Sequence, residues 1–384
     1  MPGFNRERLT EIRIVRSMTM EQLAKAVGKT KQMVSKYEDG KSIPQIDTIK
    51  KMAQVLAAPI KYLLKESVVH NRNTSTLFLR APLATPQKKR AYARIVSSWG
   101  YEIAQALENI SQPFLRFSID EKLTIPDKAM ELRRQWNLGT QPIHNMVSLL
   151  ESRGFNIFTI YSPELKTEAY SQIINGTPII VLNQQVGTAV RQRFSLAHEL
   201  GHMVLHRHLI DWEFDIRSKE IENEAQQFAE YFLLPQEGFD YSFVSSKMED
   251  LFFLKKEWLV SLRALVIHCE NVGLIDAPRS YFLQKRLNAN GWQKIEPFDN
   301  EIEYEKPYEM GHRILNRVKE KNDFKEFFAE VRLPIDNIES LCSLPQGSLM
   351  KYYDDSWESY DLRESYQPDF EQPTLFDVGG DDYA

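Results

Sequence analysis

His198 and His202 stand four residues apart, with Glu199 directly after the first, and form the pattern His-Glu-x-x-His within the run from Phe194 to Val204. On an α-helix, residues i and i+4 lie one above the other on the same face, so both imidazoles can reach one metal ion. Glu199 would then sit beside that ion without binding it, placed to take a proton from an attacking water. The chemistry this predicts is metal-assisted hydrolysis. A buried structural histidine pair is the competing explanation, but the surroundings favour ligands. Phe194, Leu196, Ala197, Leu200, Met203, Val204 and Leu205 make the stretch apolar nearly all round and a good helix former, as expected of a buried helix.

Two histidines leave a catalytic zinc site one protein ligand short. His206 lies about 12 Å along the helix axis from His198 at 1.5 Å per residue, too far to share the ion. His208 could close the site only if a glycine three residues after His202 turned the chain back, and Leu205 stands there. A ligand from a later helix is required. In the stretch Ile221 to Pro235, Glu222 shares a helical face with Ala225, Ala229 and Phe232. It is a carboxylate on an otherwise apolar, small-residue surface, where it needs a cation. The alternative is that Glu222 and Glu224 are solvated surface charges.

The run from Arg193 through His202, a further histidine at 206, then Glu222-x-x-Ala225, Phe228-Ala229 and Leu233-Leu234-Pro235, resembles the ImmA/IrrE family of zinc metallopeptidases. The resemblance extends over about residues 126 to 240, through Leu132-Arg133-x-x-Trp136, Gln141-Pro142-Ile143 and the strand-like run from Ile179 to Asn183. It implies a bound Zn2+ held by His198, His202 and Glu222, with Glu224 as the fallback ligand. It also implies Glu199 as the catalytic base and a protein substrate, a repressor or another regulator. The chain departs from the family at Gln226, where Asn or Asp usually follows the Glu-x-x-Ala, and this puts in doubt the hydrogen bond that would orient a ligand there.

These residues need a scaffold, and the composition is that of an ordinary globular chain. Its 384 residues predict two or three domains, with 42% hydrophobic and 26% charged residues. No stretch approaches about 18 uninterrupted apolar residues, and no apolar segment follows the charges near the start, so neither a membrane span nor a secretory signal is expected. The expected location is the cytoplasm. Only Cys269 and Cys342 occur, far apart, which fits a reducing compartment and excludes a cysteine-based zinc site.

Residues 1–66 read as short helices: Arg6 to Arg16, Thr19 or Met20 to Val27, a turn at Gly28, Lys29 to Tyr37, Thr48 to Leu56 and Ile60 to Leu64. Helix, tight turn, basic helix is a layout that can place one helix in a DNA major groove. Glu21-Gln22-Leu23-Ala24 through Val34-Ser35-Lys36-Tyr37-Glu38-Asp39-Gly40 to Pro44 resembles the XRE, or lambda-repressor-like, helix-turn-helix family. Lys31, Gln32, Ser35 and Lys36 face outward on the second helix, where they can reach base edges or phosphates. Residues 1–66 hold 13 Lys and Arg against 7 Asp and Glu in a chain of net charge −5, a bias that suits double-stranded DNA. A helix-turn-helix used only for protein contacts is the alternative, and such domains often form homodimers.

The expected architecture is multidomain and mainly α. An all-α helix-turn-helix (1–66) leads through a helical connector (67–125) to an α+β minimal zincin (126–240). A helical C-terminal region (241–352) and an acidic tail (353–384) follow. The zincin order is two helices, short strands at Asn156 to Tyr161 and Pro178 to Asn183, then the metal helix, with an edge strand able to bind an extended peptide. Val260 to Leu265 has the look of a second helix-turn-helix or of a plain helical cap. The tail carries ten Asp and Glu against one basic residue, Arg363, and reads as disordered, either solubilising or mimicking a polyanion. Two functions follow: a DNA-binding regulator that cleaves a protein, or a non-catalytic regulator whose zincin domain senses a ligand or partner.

Overall fold

Asn5 opens the first helix by accepting hydrogen bonds from the backbone N–H groups of Glu7 and Arg8, at 2.9 and 3.4 Å. This satisfies donors that a helical first turn leaves unpaired. The computed structural model describes residues 3–65, 77–79, 87–107, 118–163, 165–209, 211–320 and 324–352. The polar stretch at 71–76, most of that at 84–87 and the acidic tail 353–384 lie outside the described residues. The described chain divides into two compact units, one ending at Lys65 and the other running to Tyr352.

The first unit comprises α1 (Arg6–Val15), α2 (Met20–Ala26), α3 (Lys31–Glu38), α4 (Ile46–Val55) and a 3-10 turn at Ile60–Leu64. Thr19 and Gln22 cap α2 reciprocally: Thr19 N–H donates to Gln22 Oε1 at 2.8 Å and Gln22 N–H to Thr19 Oγ1 at 3.1 Å. Thr30 accepts from Met33 N–H, so α3 starts two residues later than its apolar spacing suggests. Arg13 grips Glu38 through two hydrogen bonds of 2.5 and 2.7 Å, fixing the end of α3 against α1.

The second unit is built on a four-stranded sheet in the order β1 (Leu77–Phe78), β3 (Ala169–Ile174), β4 (Thr177–Asn183), β2 (Asn156–Ile160). β4 runs parallel to β2 and antiparallel to β3, and β1 runs antiparallel to β3. Asn175 and Gly176 join β3 to β4 with φ of 49° and 79°, the left-handed pair that a tight hairpin turn requires. Every residue of β2, β3 and β4 is buried, so both faces of the sheet are covered. α5 (Gln87–Ala106) packs on one face and α8 (Ala189–Leu205) on the other. The segment expected as a connector, 67–125, thus supplies a strand and a covering layer through Trp99 and Ile103, which are buried.

α6 (Ile125–Gln135), α7 (Met146–Ser152), α9 (Asp211–Leu233), α10 (Gln236–Ser242), α11 (Met248–Trp258), α12 (Leu262–Asn271) and α13 (Ala277–Ala289) share one apolar core with α8. Val260, Leu262 and Leu265 belong to that core, so the stretch that resembled a second helix-turn-helix is a helical cap. α14 (Glu309–Glu320), α15 (Phe324–Val331) and α16 (Ile335–Leu341) follow, and Thr159 of β2 donates to Ser340 O of α16 at 2.6 Å. The fold is therefore a helix-turn-helix, a mixed α+β unit with a small sheet, and a helical C-terminal region. Among the described residues no helix is long and apolar enough to cross a membrane.

Arg133 locks α6 to the end of α9. It donates to Phe232 O at 2.6 Å, Gly139 O at 2.8 Å and Gln141 O at 2.5 Å. Burial lowers its pKa to about 10, so the guanidinium stays charged at neutral pH with carbonyls as its partners. Arg133→Met would leave three carbonyls without this donor, at about 1–3 kcal/mol each if no water replaces it. Urea unfolding of the full chain should show a loss of about 3 kcal/mol or more. Arg134→Ala, on an exposed side chain paired across one helical turn with Glu131, should cost under about 1 kcal/mol.

Candidate functional site

α8 and α9 approach to backbone contact. A Cβ on Gly201 would lie 3.1 Å from Ala225 O and 3.2 Å from Ala225 Cα. A larger residue at 201 would push the helices apart. This spacing carries Glu222 of α9 over the His-Glu-x-x-His turn of α8. His198 Nε2 and His202 Nε2 lie 3.0 Å apart, and the Glu222 carboxylate oxygens lie 3.3 Å from His198 Nε2 and 3.6 Å from His202 Nε2. Ligand atoms around a tetrahedral ion at 2.0–2.1 Å are separated by about 3.3 Å, and the three spacings bracket that value.

His198, His202 and Glu222 are thus a set that could hold a metal ion. Glu222 Oε1 is buried without a hydrogen-bond partner, as a coordinating oxygen would be. Burial lowers the pKa of His202 to about 3, which leaves the neutral imidazole with its lone pair. Burial alone would raise the pKa of Glu222, but the His198 and His202 rings outweigh it and hold the carboxyl below its ordinary range. Two imidazoles and one carboxylate are the donor set of a hydrolytic metal site.

The surrounding polar groups set the ligand tautomers. His202 Nδ1 faces His206 Nδ1 at 3.2 Å, and His206 Nε2 faces Glu224 Oε2 at 2.7 Å. The carboxylate accepts, so His206 carries its proton on Nε2 and offers Nδ1 as acceptor to His202 Nδ1–H. His202 Nε2 is then left as a lone pair toward Glu222 and His198. His206 and Glu224 therefore touch a ligand from behind, whereas Gln226, the position that departs from the family pattern, is exposed. His208 is also exposed and stands outside the cluster.

Glu199 is buried beside these residues, and Ser171 Oγ donates to its Oε2 at 2.5 Å. Ser171 lies on β3, a strand that the apolar patterning did not reveal; the Asn175-Gly176 pair after it was the readable signal. Arg193 fastens the start of α8 through an ion pair with Glu305 and bonds to His144 O at 3.1 Å and Leu259 O at 3.2 Å. In the first unit, Lys31, Gln32 and Lys36 are exposed on α3 and Ser35 is partly so, while Val34 and Tyr37 are buried on its other face. One surface of α3 thus offers two ammonium groups, an amide and a hydroxyl.

Residues 151–270 match the family model of the IrrE N-terminal-like domain, a peptidase family, and residues 9–63 match that of a helix-turn-helix. Two regions of the chain thus match, in order, a helix-turn-helix and an IrrE N-terminal-like domain. This pairing points to DNA-binding regulation and to a zincin-like peptidase domain. The IrrE-like match takes in β2 to β4, α8, α9 and nearly all of α12, so it includes the His/His/Glu cluster and the helical cap. No curated protein matches the chain.

The geometry separates the two glutamates on α9. With Zn2+ as the probe in a competitive titration, Glu222→Ala should lose nearly all binding. Glu224→Gln and His206→Phe should each weaken it about 10–100-fold, as expected of groups that orient a ligand. Equal losses from Glu222→Ala and Glu224→Gln would contradict this division.

Proposed function

We propose that this protein is a DNA-binding transcriptional regulator whose second unit is a zinc metalloendopeptidase acting on a protein substrate, a repressor or another regulator. The observation that carries the reading is Glu199: a buried carboxylate next to the His198, His202 and Glu222 cluster, held by Ser171 and not itself part of the donor set. A sensor site has no need of a base at that point, whereas peptide hydrolysis does.

His198, His202 and Glu222 would hold the zinc, which when bound polarises the scissile carbonyl and acidifies the attacking water. Glu199 takes the proton from that water and delivers it to the leaving amine. The Ser171 hydroxyl fixes one oxygen of that carboxylate. The His206–Glu224 pair keeps His202 in the tautomer that can ligate. Lys31, Gln32, Ser35 and Lys36 would contact double-stranded operator DNA, with the protein acting in the cytoplasm and binding as a homodimer.

The decisive comparison uses zinc-loaded full chain and a candidate repressor, with products read by intact-mass spectrometry. Glu199→Gln is nearly isosteric and should keep zinc and DNA binding, yet lower kcat/KM by about 10²- to 10⁴-fold. In cells, a reporter driven from the protein's own operator should lose its response with the same substitution. A full response from Glu199→Gln would favour the sensor reading, in which only the ligands matter.

For the recognition helix, selection from random duplexes should enrich a sequence whose affinity falls steeply with salt. Gln32→Ala should change the preferred base at one position. Lys36→Ala should weaken all duplexes about evenly and reduce the salt slope by about one. Failure to enrich any sequence would contradict the DNA role.

A further inference from the structure

The strand next to the candidate metal centre already has a partner. β1 pairs antiparallel with the outer edge of β3, Leu77 opposite Gln172 and Phe78 opposite Ser171. Ser171 is the residue that donates to Glu199, so Phe78 sits across from the strand position that touches that carboxylate. Its ring stacks on His202, with centroids 5.0 Å apart and planes 7° from parallel. It forms a small apolar cluster with Leu209 and Ile221, the residue before Glu222. Leu77, Phe78 and Leu79 are all buried.

An extended peptide binds a sheet by adding a strand to its edge, main chain to main chain, with alternate side chains read by pockets. On β3 that edge, together with the pocket over His202, is where β1 lies. We infer that Leu77-Phe78 is a resident pseudo-substrate: it fills the strand site for the substrate peptide and must leave before another peptide can pair with β3. The inference rests on the peptidase reading for the word substrate, but its geometry concerns only what binds the β3 edge. It also assigns a preference. The pocket formed by the His202 ring, Leu209 and Ile221 takes a large apolar side chain, aromatic by choice, from a strand antiparallel to β3. A tethered segment acts at an effective concentration of about millimolar, so a free peptide of the same sequence competes poorly until the tethered one is weakened.

The test uses the zinc-loaded full chain and a fluorescent peptide with the sequence of residues 74–81, Thr-Ser-Thr-Leu-Phe-Leu-Arg-Ala, read by anisotropy. Phe78→Ala should bind the peptide at least tenfold more tightly than the unaltered chain. The same peptide with alanine in place of its phenylalanine should lose that gain. Equal affinity for both chains, or indifference to the peptide's phenylalanine, overturns the proposal. A second measurement serves if Phe78→Ala does not fold. In hydrogen exchange on the unaltered chain at several millimolar peptide, the amides of residues 77–79 should lose protection as the added strand displaces them. Unchanged protection at saturating peptide overturns the proposal as well. Neither readout requires hydrolysis, so peptide binding without any cleavage would fault the peptidase reading and leave the strand site standing.

Discussion

The structure depends on how closely α8 and α9 can approach. Gly201 brings the two backbones to contact at Ala225, and that contact sets the reach from Glu222 to the histidines. The apolar core around Phe228, Ala229 and Phe232 holds the pair together. Arg193 and Arg133 fasten the start of α8 and the end of α9 to other segments. A buried helix that carries two histidines and a glutamate, with a third histidine, His206, as its C-cap, must also satisfy each polar group it withdraws from water. It does so in two directions. His202 leans on His206 and through it on Glu224, and Glu199 leans on Ser171.

Much of this site is legible in the amino-acid sequence because it is local. The pairing of His198 with His202 follows from helical spacing alone, and Glu222 stands out as a charge on a face of alanines and phenylalanines. Glu222 and Glu224 differ by about 200° around a helix at 3.6 residues per turn, so one helix face cannot present both to the same ion. What sorts them is the course of α8, which places His206 beside Glu224, and helix packing is not written in the periodicity. The helices of the first unit are legible to within a few residues for a similar reason: their apolar spacing is local, and the caps at Thr19 and Thr30 that set the starts of α2 and α3 bond only two or three residues away.

Long-range pairing is where the reading stops. β3 is buried on both faces, so it lacks the alternation that marks a half-exposed strand, and β1 is only two residues long. α5 displays an apolar face in its sequence, but that face does not say whether it covers a sheet or bridges two domains. α9 begins at Asp211, ten residues before the Ile221 that the spacing indicates, because Trp212, Phe214 and Ile216 recur every second residue and Arg217 to Glu220 carry no apolar stripe. In each case the missing information is a partner far away in the chain. The consequence for function is direct: Ser171 and Phe78, which flank the candidate site from the sheet side, are invisible to motif and spacing.

Crystals of the zinc-loaded chain, measured on either side of the zinc absorption edge, test the central claim most directly. The account predicts one anomalous peak about 2.0–2.2 Å from His198 Nε2, His202 Nε2 and a Glu222 oxygen. His206 and Glu224 should lie behind His202 with no peak between them, and Glu199 should stand beside the ion without coordinating it. A peak held by His206 and Glu224, or no peak at the three residues after zinc loading, would contradict it.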